Sequence, residues 1–275
     1  MNKKPLRLAI IDLYNGEPNQ GMRCIQDHIN EIDVKYQDIP FEYNIFESRL
    51  KGDLPGMDYD IYFSSGGPGS PFEDEGREWE KNYFKLINNL WEHNQKHEQK
   101  KFVFFICHSF QMMARAFELG DVVQRDKKSF GIVPFNLTGD AKNDPIFHNL
   151  TDPFFGADFR GWQVINQNKE VFNQLGASLL SIEREWPNMQ FERAMMAIRL
   201  SDEFLGTQFH PEADPPSMYY HFRQPERKVQ VIEQYGEEAY FEMINHLENP
   251  ENILHTKKTV IPGFLNNAIK KLRYN

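Results

Sequence analysis

The stretch from Lys101 to Arg115 (KFVFFICHSFQMMAR) constrains this chain more than any other. Phe102 to Ile106 is a short unbroken apolar run, and such runs read as strands buried on both faces, the pattern of a parallel sheet. Cys107 ends the run, and Ser109, Gln111, Met112 and Arg115 open a helical pattern at once. A strand that turns sharply into a helix lifts the residue at the turn into a cleft, the geometry of a nucleophile elbow. A cysteine taken alone is usually a small buried hydrophobe. Cys107 therefore gains chemical meaning only from what the rest of the chain can bring to it.

Two further segments supply the missing groups. In Gly206 to Ala213 (GTQFHPEA), His210 and Glu212 are separated by one residue, and in extended backbone such positions point the same way. The carboxylate can then hold the imidazole in one tautomer while its other nitrogen faces a thiol, the Cys-His-acid logic of nucleophilic catalysis. In Asp58 to Pro71 (DYDIYFSSGGPGSP), Ile61, Tyr62 and Phe63 predict a strand, and Ser64 to Gly69 a loop at its end. Glycines there let backbone N–H groups approach a substrate and donate to an oxyanion. A Gly-Gly-Pro sequence by itself is only a turn signal.

In this order and at these spacings, the three segments resemble the class I (triad type) glutamine amidotransferase family. Its members show a Gly-Gly-Pro loop, a Gly-x-Cys-x-Gly-x-Gln elbow and a Phe-His-Pro-Glu segment. The chain has Gly66-Gly67-Pro68, then Cys107 with Gln111 at the matching offset, then Phe209-His210-Pro211-Glu212. The resemblance spans residues 6 to 213 and implies Cys107, His210 and Glu212 as the catalytic set. It further implies the N–H groups of Gly67 and His108 as the oxyanion hole, and Gly66 and Gln111 as substrate contacts. Phe105 and Ser109 stand where the family has glycines. A ring at position 105 requires either that the neighbouring strand recede or that the elbow change. His108 also resembles the Cys-His pair of the related intracellular-peptidase branch. The Asp158 to Val164 stretch (DFRGWQV) lacks the Ser-His or Tyr-Ser pair with which family members hold the α-groups of glutamine.

The order of elements predicts an α/β fold: a doubly wound, mostly parallel sheet flanked by helices, flavodoxin-like in class, with a C-terminal helical extension. Strands are expected at Leu6–Leu13, Phe41–Phe46, Asp58–Phe63, Ser129–Leu137, Phe154–Ile165, Ser178–Ile182, Ala194–Leu200 and Phe204–Phe209. The shorter late strands predict an antiparallel stretch that folds back and carries His210 to the cysteine. Helices are expected from Met22 through Ile29 and from Glu73 to His97, with a polar turn or short helix at Asp144–Leu150. Asp214-Pro215-Pro216 divides a main domain, 1–213, from a helical extension, 214–275, with helices over Ser217–His246 and Pro262–Leu272 joined at Asn249-Pro250-Glu251. The amphipathic face of that extension must bury against the main domain or a partner.

With 275 residues, 40% of them apolar, the chain can bury a sizeable core. Its 31 Lys and Arg against 40 Asp and Glu give a net charge of −9, which argues against a nucleic-acid or anionic-membrane partner. Two cysteines, Cys24 and Cys107, form neither a disulfide framework nor a zinc pattern, and no metal or other cofactor is expected. His93 and His97 stand at helical spacing among polar neighbours and read as a solvated helix end. The Lys3-Lys4 start leads into an apolar run that Asp12 interrupts short of a signal peptide, and no stretch reaches the roughly 20 apolar residues of a membrane span. The cytoplasm is the expected compartment.

The resemblance implies hydrolysis of the side-chain amide of glutamine through a Cys107 thioester. The released ammonia would pass to a separate synthetase subunit, such as a partner of the GMP synthase type. A free-standing γ-glutamyl hydrolase or peptidase using the same residues is the alternative. A third reading, from another class, is a non-catalytic binding or regulatory relative, motivated by Phe105 and the missing glutamine-holding pair.

Overall fold

The computed structural model describes residues 4–185, 192–222, 224–248 and 250–274. Strands in chain order are β1 (Leu6–Ile11), β2 (Phe41–Phe46), β3 (Ile61–Ser64), β4 (Phe102–Ile106), β5 (Asp121–Leu137), β6 (Phe154–Ile165), β7 (Ser178–Glu183), β8 (Met195–Arg199) and β9 (Phe204–Thr207). Helices are α1 (Gly21–Lys35), α2 (Ser48–Lys51), α3 (Glu78–Lys96), α4 (His108–Ala116), α5 (Lys169–Leu175), α6 (Pro215–Phe222), α7 (Pro225–Tyr235), α8 (Glu237–Glu248) and α9 (Glu251–Arg273).

Among the described residues the strands form one nine-stranded sheet in the order β2-β1-β3-β4-β9-β8-β7-β5-β6. From β2 to β9 every pairing is parallel, and from β9 to β6 every pairing is antiparallel. The alternation of side chains along a strand explains why β4 is apolar throughout. Phe102, Phe104 and Ile106 join a core shared with α1 and α9 on one face, where the Phe264 ring meets Phe63, Phe102 and Phe104 edge-on. Val103 and Phe105 join a second core, with Trp79 and Tyr83 of α3 and Phe110 and Met113 of α4, on the other face.

Several boundaries differ from the sequence expectation for local reasons. Helix α3 starts at Glu78 and not at Glu73, because Gly76 takes a positive φ of 80° and its N–H is held by the Glu80 carboxylate at 2.8 Å. Strand β5 starts earlier than expected, at Asp121, where pairing with β6 runs past the polar residues that hid it. The expected helix over Ser217–His246 is three helices, with Pro225 opening α7 and Gly236, at φ 90°, separating α7 from α8. Helix α9 begins at Glu251 and runs through Pro262, since the buried residues Val260, Ile261, Phe264 and Leu265 hold it against the sheet on both sides of the proline. Asn249 of the expected joining turn lies outside the described residues. Asp144–Leu150 is covered in part by a 3-10 turn at Phe147–Asn149, preceded by another at Asp140–Asn143.

Candidate active site

Open parallel sheets collect ligands at the carboxyl ends of their strands. Here four neighbouring strands each deliver a residue to one cavity: Tyr14 follows β1, Gly67 follows β3, Cys107 follows β4 and His210 follows β9. The cavity has a volume of about 750 Å³. The β5–β6 hairpin and the start of the C-terminal helices close its far side, through residues such as Phe159, Trp162, His221 and Arg227.

Cys107 caps the N-terminus of α4 at φ 49° and ψ −98°, a conformation that side-chain-bearing residues rarely adopt. Its N–H is fixed by the Thr207 carbonyl at 2.8 Å. Ser109 does more than fit the turn: its Oγ accepts from the Ile106 N–H at 2.8 Å and donates to the Ser64 carbonyl at 2.7 Å, tying β4 to β3 beneath the elbow. Phe105 is fully buried without any loss of strand pairing. Its partner in β9 is Gly206, where a Cβ would stand 2.9 Å from both Phe110 and Met113, so the bare glycine lets α4 close onto the sheet beside the ring. Neither a receding strand nor an abandoned elbow is needed.

Phe209 anchors the segment that follows β9, packing between Phe135 and Phe154 with ring centroids 5.3 Å from each. The next residue, His210, is held to β6 by its N–H, which donates to the Ala157 carbonyl at 2.8 Å. Its Nδ1 lies 2.7 Å from Glu212 Oε1, and Glu212 is buried. Burial disfavours a charged imidazole, but the Glu212 carboxylate, and after it the charge on Cys107, outweigh it and hold His210 well above the ordinary histidine range. With Nδ1 committed to Glu212, Nε2 is the nitrogen left to face a second group.

Gly66 packs against the imidazole and Gly67 against Leu13, just past the end of β1. A Cβ on Gly66 would stand 2.9 Å from His210 Cε1, and one on Gly67 would stand 2.5 Å from the Leu13 carbonyl oxygen. His108 is the first residue of α4, so its N–H belongs to the helix turn that lacks internal acceptors. Its side chain is buried, and burial, reinforced by Arg49, pushes its pKa down to about 3, so the ring stays neutral. Gln111 lines the cavity, but its Nε2 donates inward, to the Trp162 carbonyl at 3.1 Å and to Gln208 Oε1 at 3.2 Å.

Sequence reasoning passed over two residues here. Gln208, immediately before the Phe-His-Pro-Glu segment, donates from Nε2 to Cys107 Sγ at 3.6 Å. Tyr14 brings its hydroxyl so close to Gly21 and Gly66 that a Cβ on either would stand 2.2 or 3.2 Å from it. Burial, then Glu212 and Cys107, raise Tyr14 well above the usual phenol range, which keeps it a donor. Only adjacency to the motif could have drawn attention to Gln208, and nothing local marks Tyr14. Burial also pushes the second thiol, Cys24, up to about 12, leaving it protonated at neutral pH. His93 and His97 stack with ring centroids 4.2 Å apart, each ring bonded to a main-chain carbonyl. Among the described residues no helix is long and apolar enough to cross a membrane.

Residues 18–222 match the family described as glutamine amidotransferase class-I. The chain belongs to the class I glutamine amidotransferase family. In fold, this amidotransferase-family chain is similar to a glutamine amidotransferase from Methylobacillus flagellatus, with a TM-score of 0.64 at 16% identity over 99% of this chain and 96% of that one. A glutamine amidotransferase from Thermotoga maritima gives a TM-score of 0.61 at 14% identity over 99% and 100%. The glutaminase domain of Trypanosoma brucei CTPS, solved with bound acivicin, gives 0.55 at 12% identity over 82% and 92%. None of the curated proteins compared matches it by sequence. Membership of this class I family carries glutamine amide hydrolysis as the general activity of the domain.

Proposed function

We propose that this chain is a Cys-His-Glu amidohydrolase in which Cys107 attacks the side-chain carbonyl of glutamine. His210 takes the thiol proton on Nε2 and returns it to the departing amine, and Glu212 holds the imidazole and stabilises its charged form. The N–H groups of Gly67 and His108 receive the oxyanion, each such donor typically being worth on the order of a hundredfold in rate. Gly66 and Gln111 position the substrate. Water then cleaves the γ-glutamyl thioester, giving glutamate and ammonia, and the ammonia passes to a separate synthetase subunit, such as one of the GMP synthase type. The observation that carries this reading is the imidazole fixed by Glu212 at 2.7 Å in the same cavity that the positive-φ Cys107 lines.

Ammonia release from glutamine by the wild-type chain, its loss in Cys107→Ala, and a γ-glutamyl-directed electrophile found on Cys107 by mass spectrometry are the expected results. Undiminished release by Cys107→Ala would remove the nucleophile. A second reading, a free-standing γ-glutamyl hydrolase, is favoured by the cavity itself. At about 750 Å³ it is roomier than glutamine requires and has space for a leaving group larger than ammonia. Faster amine release from a γ-glutamyl dipeptide than ammonia release from glutamine would select it. A soluble compartment such as the cytoplasm suits either reading.

A further inference from the structure

The two buried glutamines beside the elbow form a chain of hydrogen bonds whose direction is fixed from one end. The Trp162 carbonyl can only accept, so the group facing it at 3.1 Å must be the Gln111 NH₂. The same NH₂ faces Gln208 at 3.2 Å, so the atom there must be the Gln208 oxygen. That leaves the Gln208 NH₂ pointing at Cys107 Sγ, 3.6 Å away. A main-chain carbonyl of β6 thus sets the polarity of both amides: flipping Gln111 would place acceptor against acceptor at Trp162, and flipping Gln208 alone would place donor against donor at Gln111.

The sulfur has a second neighbour with the opposite demand. The Phe159 carbonyl, 3.9 Å from Sγ, can receive a proton only from the neutral thiol. Gln208 can serve the sulfur best when it is a thiolate, since hydrogen bonds to charged acceptors are the stronger ones. Gln208 is completely buried, so no water competes for its NH₂. We infer that Gln208 is a built-in donor to the Cys107 thiolate, oriented by Gln111 and the Trp162 carbonyl, which stabilises the state formed when the thiol proton moves from Sγ to Nε2 of His210. Gln111 is then a positioning residue as well as a wall of the cavity. This inference rests on Cys107 being the nucleophile.

Alkylation of Cys107 by iodoacetamide across pH tests it without requiring turnover, with peptide mapping to separate Cys107 from the protonated Cys24. Gln208→Met keeps the volume and removes the donor. We expect its alkylation rate at pH 7 to fall about tenfold and the pH of half-maximal alkylation to rise by about one unit, the size expected when a thiolate loses one hydrogen bond. Gln111→Met leaves Gln208 in place but unoriented, and should move the midpoint in the same direction by a smaller amount, about two- to threefold in rate at pH 7. A Gln208→Met protein that melts earlier yet alkylates with the wild-type pH profile would reduce Gln208 to packing and overturn the inference. Should Gln208→Met fail to fold, an unmoved midpoint in Gln111→Met overturns it instead. Shifted midpoints in a protein that releases no ammonia would uphold the donor and sink the hydrolytic reading, so the two failures are distinct.

Discussion

Phe105 of β4 and Gly206 of β9 are paired neighbours in adjacent parallel strands, and the glycine yields the space that Phe110 and Met113 of helix α4 fill beside the phenylalanine. The Phe105 ring meets Phe204, two residues before Gly206 on the same face, at 6.0 Å between centroids. Close packing of helix on sheet beneath the elbow is thus retained, with the small residue on the next strand.

Restoring a side chain at position 206 should therefore destabilise the protein. Gly206→Val places atoms within 2.9 Å of Phe110 and Met113 and should cost about 2 kcal/mol, the range of overpacked cores. Phe105→Ala alone should cost about 3 kcal/mol through the cavity it leaves. The double variant should lose less than the two together, because the added methyls occupy vacated space. Urea unfolding midpoints decide this, and strict additivity would refute the pairing.

The positive φ of Cys107 predicts an asymmetry between two inactive variants. Cys107→Gly relieves the backbone while Cys107→Ala keeps the strain, so the glycine variant should be the more stable by about 1 kcal/mol. Equal stability of the two would mean that the elbow carries no strain.

Glu212→Gln should lower turnover by about 10⁴-fold, as loss of the orienting acid does in triads of this kind, and should change the pH dependence of stability. Burial opposes charge on His210, but Glu212 and Cys107 more than compensate, so its folded pKa lies above the unfolded one. Its contribution is then present in full below the unfolded value, about 6.5, and is lost as pH rises through the raised folded value. The stability gap between wild type and Glu212→Gln should narrow as pH rises. A gap that widened would reverse the sign of the coupling.

His28 acts in the opposite sense. Burial, reinforced by Lys257, pushes it down to about 3, and neither ring nitrogen has a hydrogen-bond partner among the described residues. The unfolded chain binds a proton below about 6.5 that the folded chain refuses, so acidification from there to pH 5 should cost about 2 kcal/mol at this residue. His28→Leu should remove that loss, widening its advantage over wild type between pH 7 and pH 5. Parallel pH profiles of unfolding for the two proteins would show that His28 is charged without penalty.

What the sequence determined by itself was local in origin. The apolar run from Phe102 to Ile106 could bury both faces only inside a parallel sheet, and the abrupt change of period at Cys107 marked a strand-to-helix turn. The one-residue spacing of His210 and Glu212 suffices for an imidazole and a carboxylate to meet, because neighbouring backbone alone brings them together. Hidden elements were those whose pattern was overridden by distant packing: the polar first part of β5, held as strand by β6, and the first half of α9, held as helix by the sheet beneath it. Tertiary structure alone decided that Gly206 stands beside Phe105, that Gln208 reaches the Cys107 sulfur, and that the Tyr14 hydroxyl lies against Gly66. These contacts join strands far apart in the chain, and no local preference of a glycine, a glutamine or a tyrosine records which strand will become its neighbour.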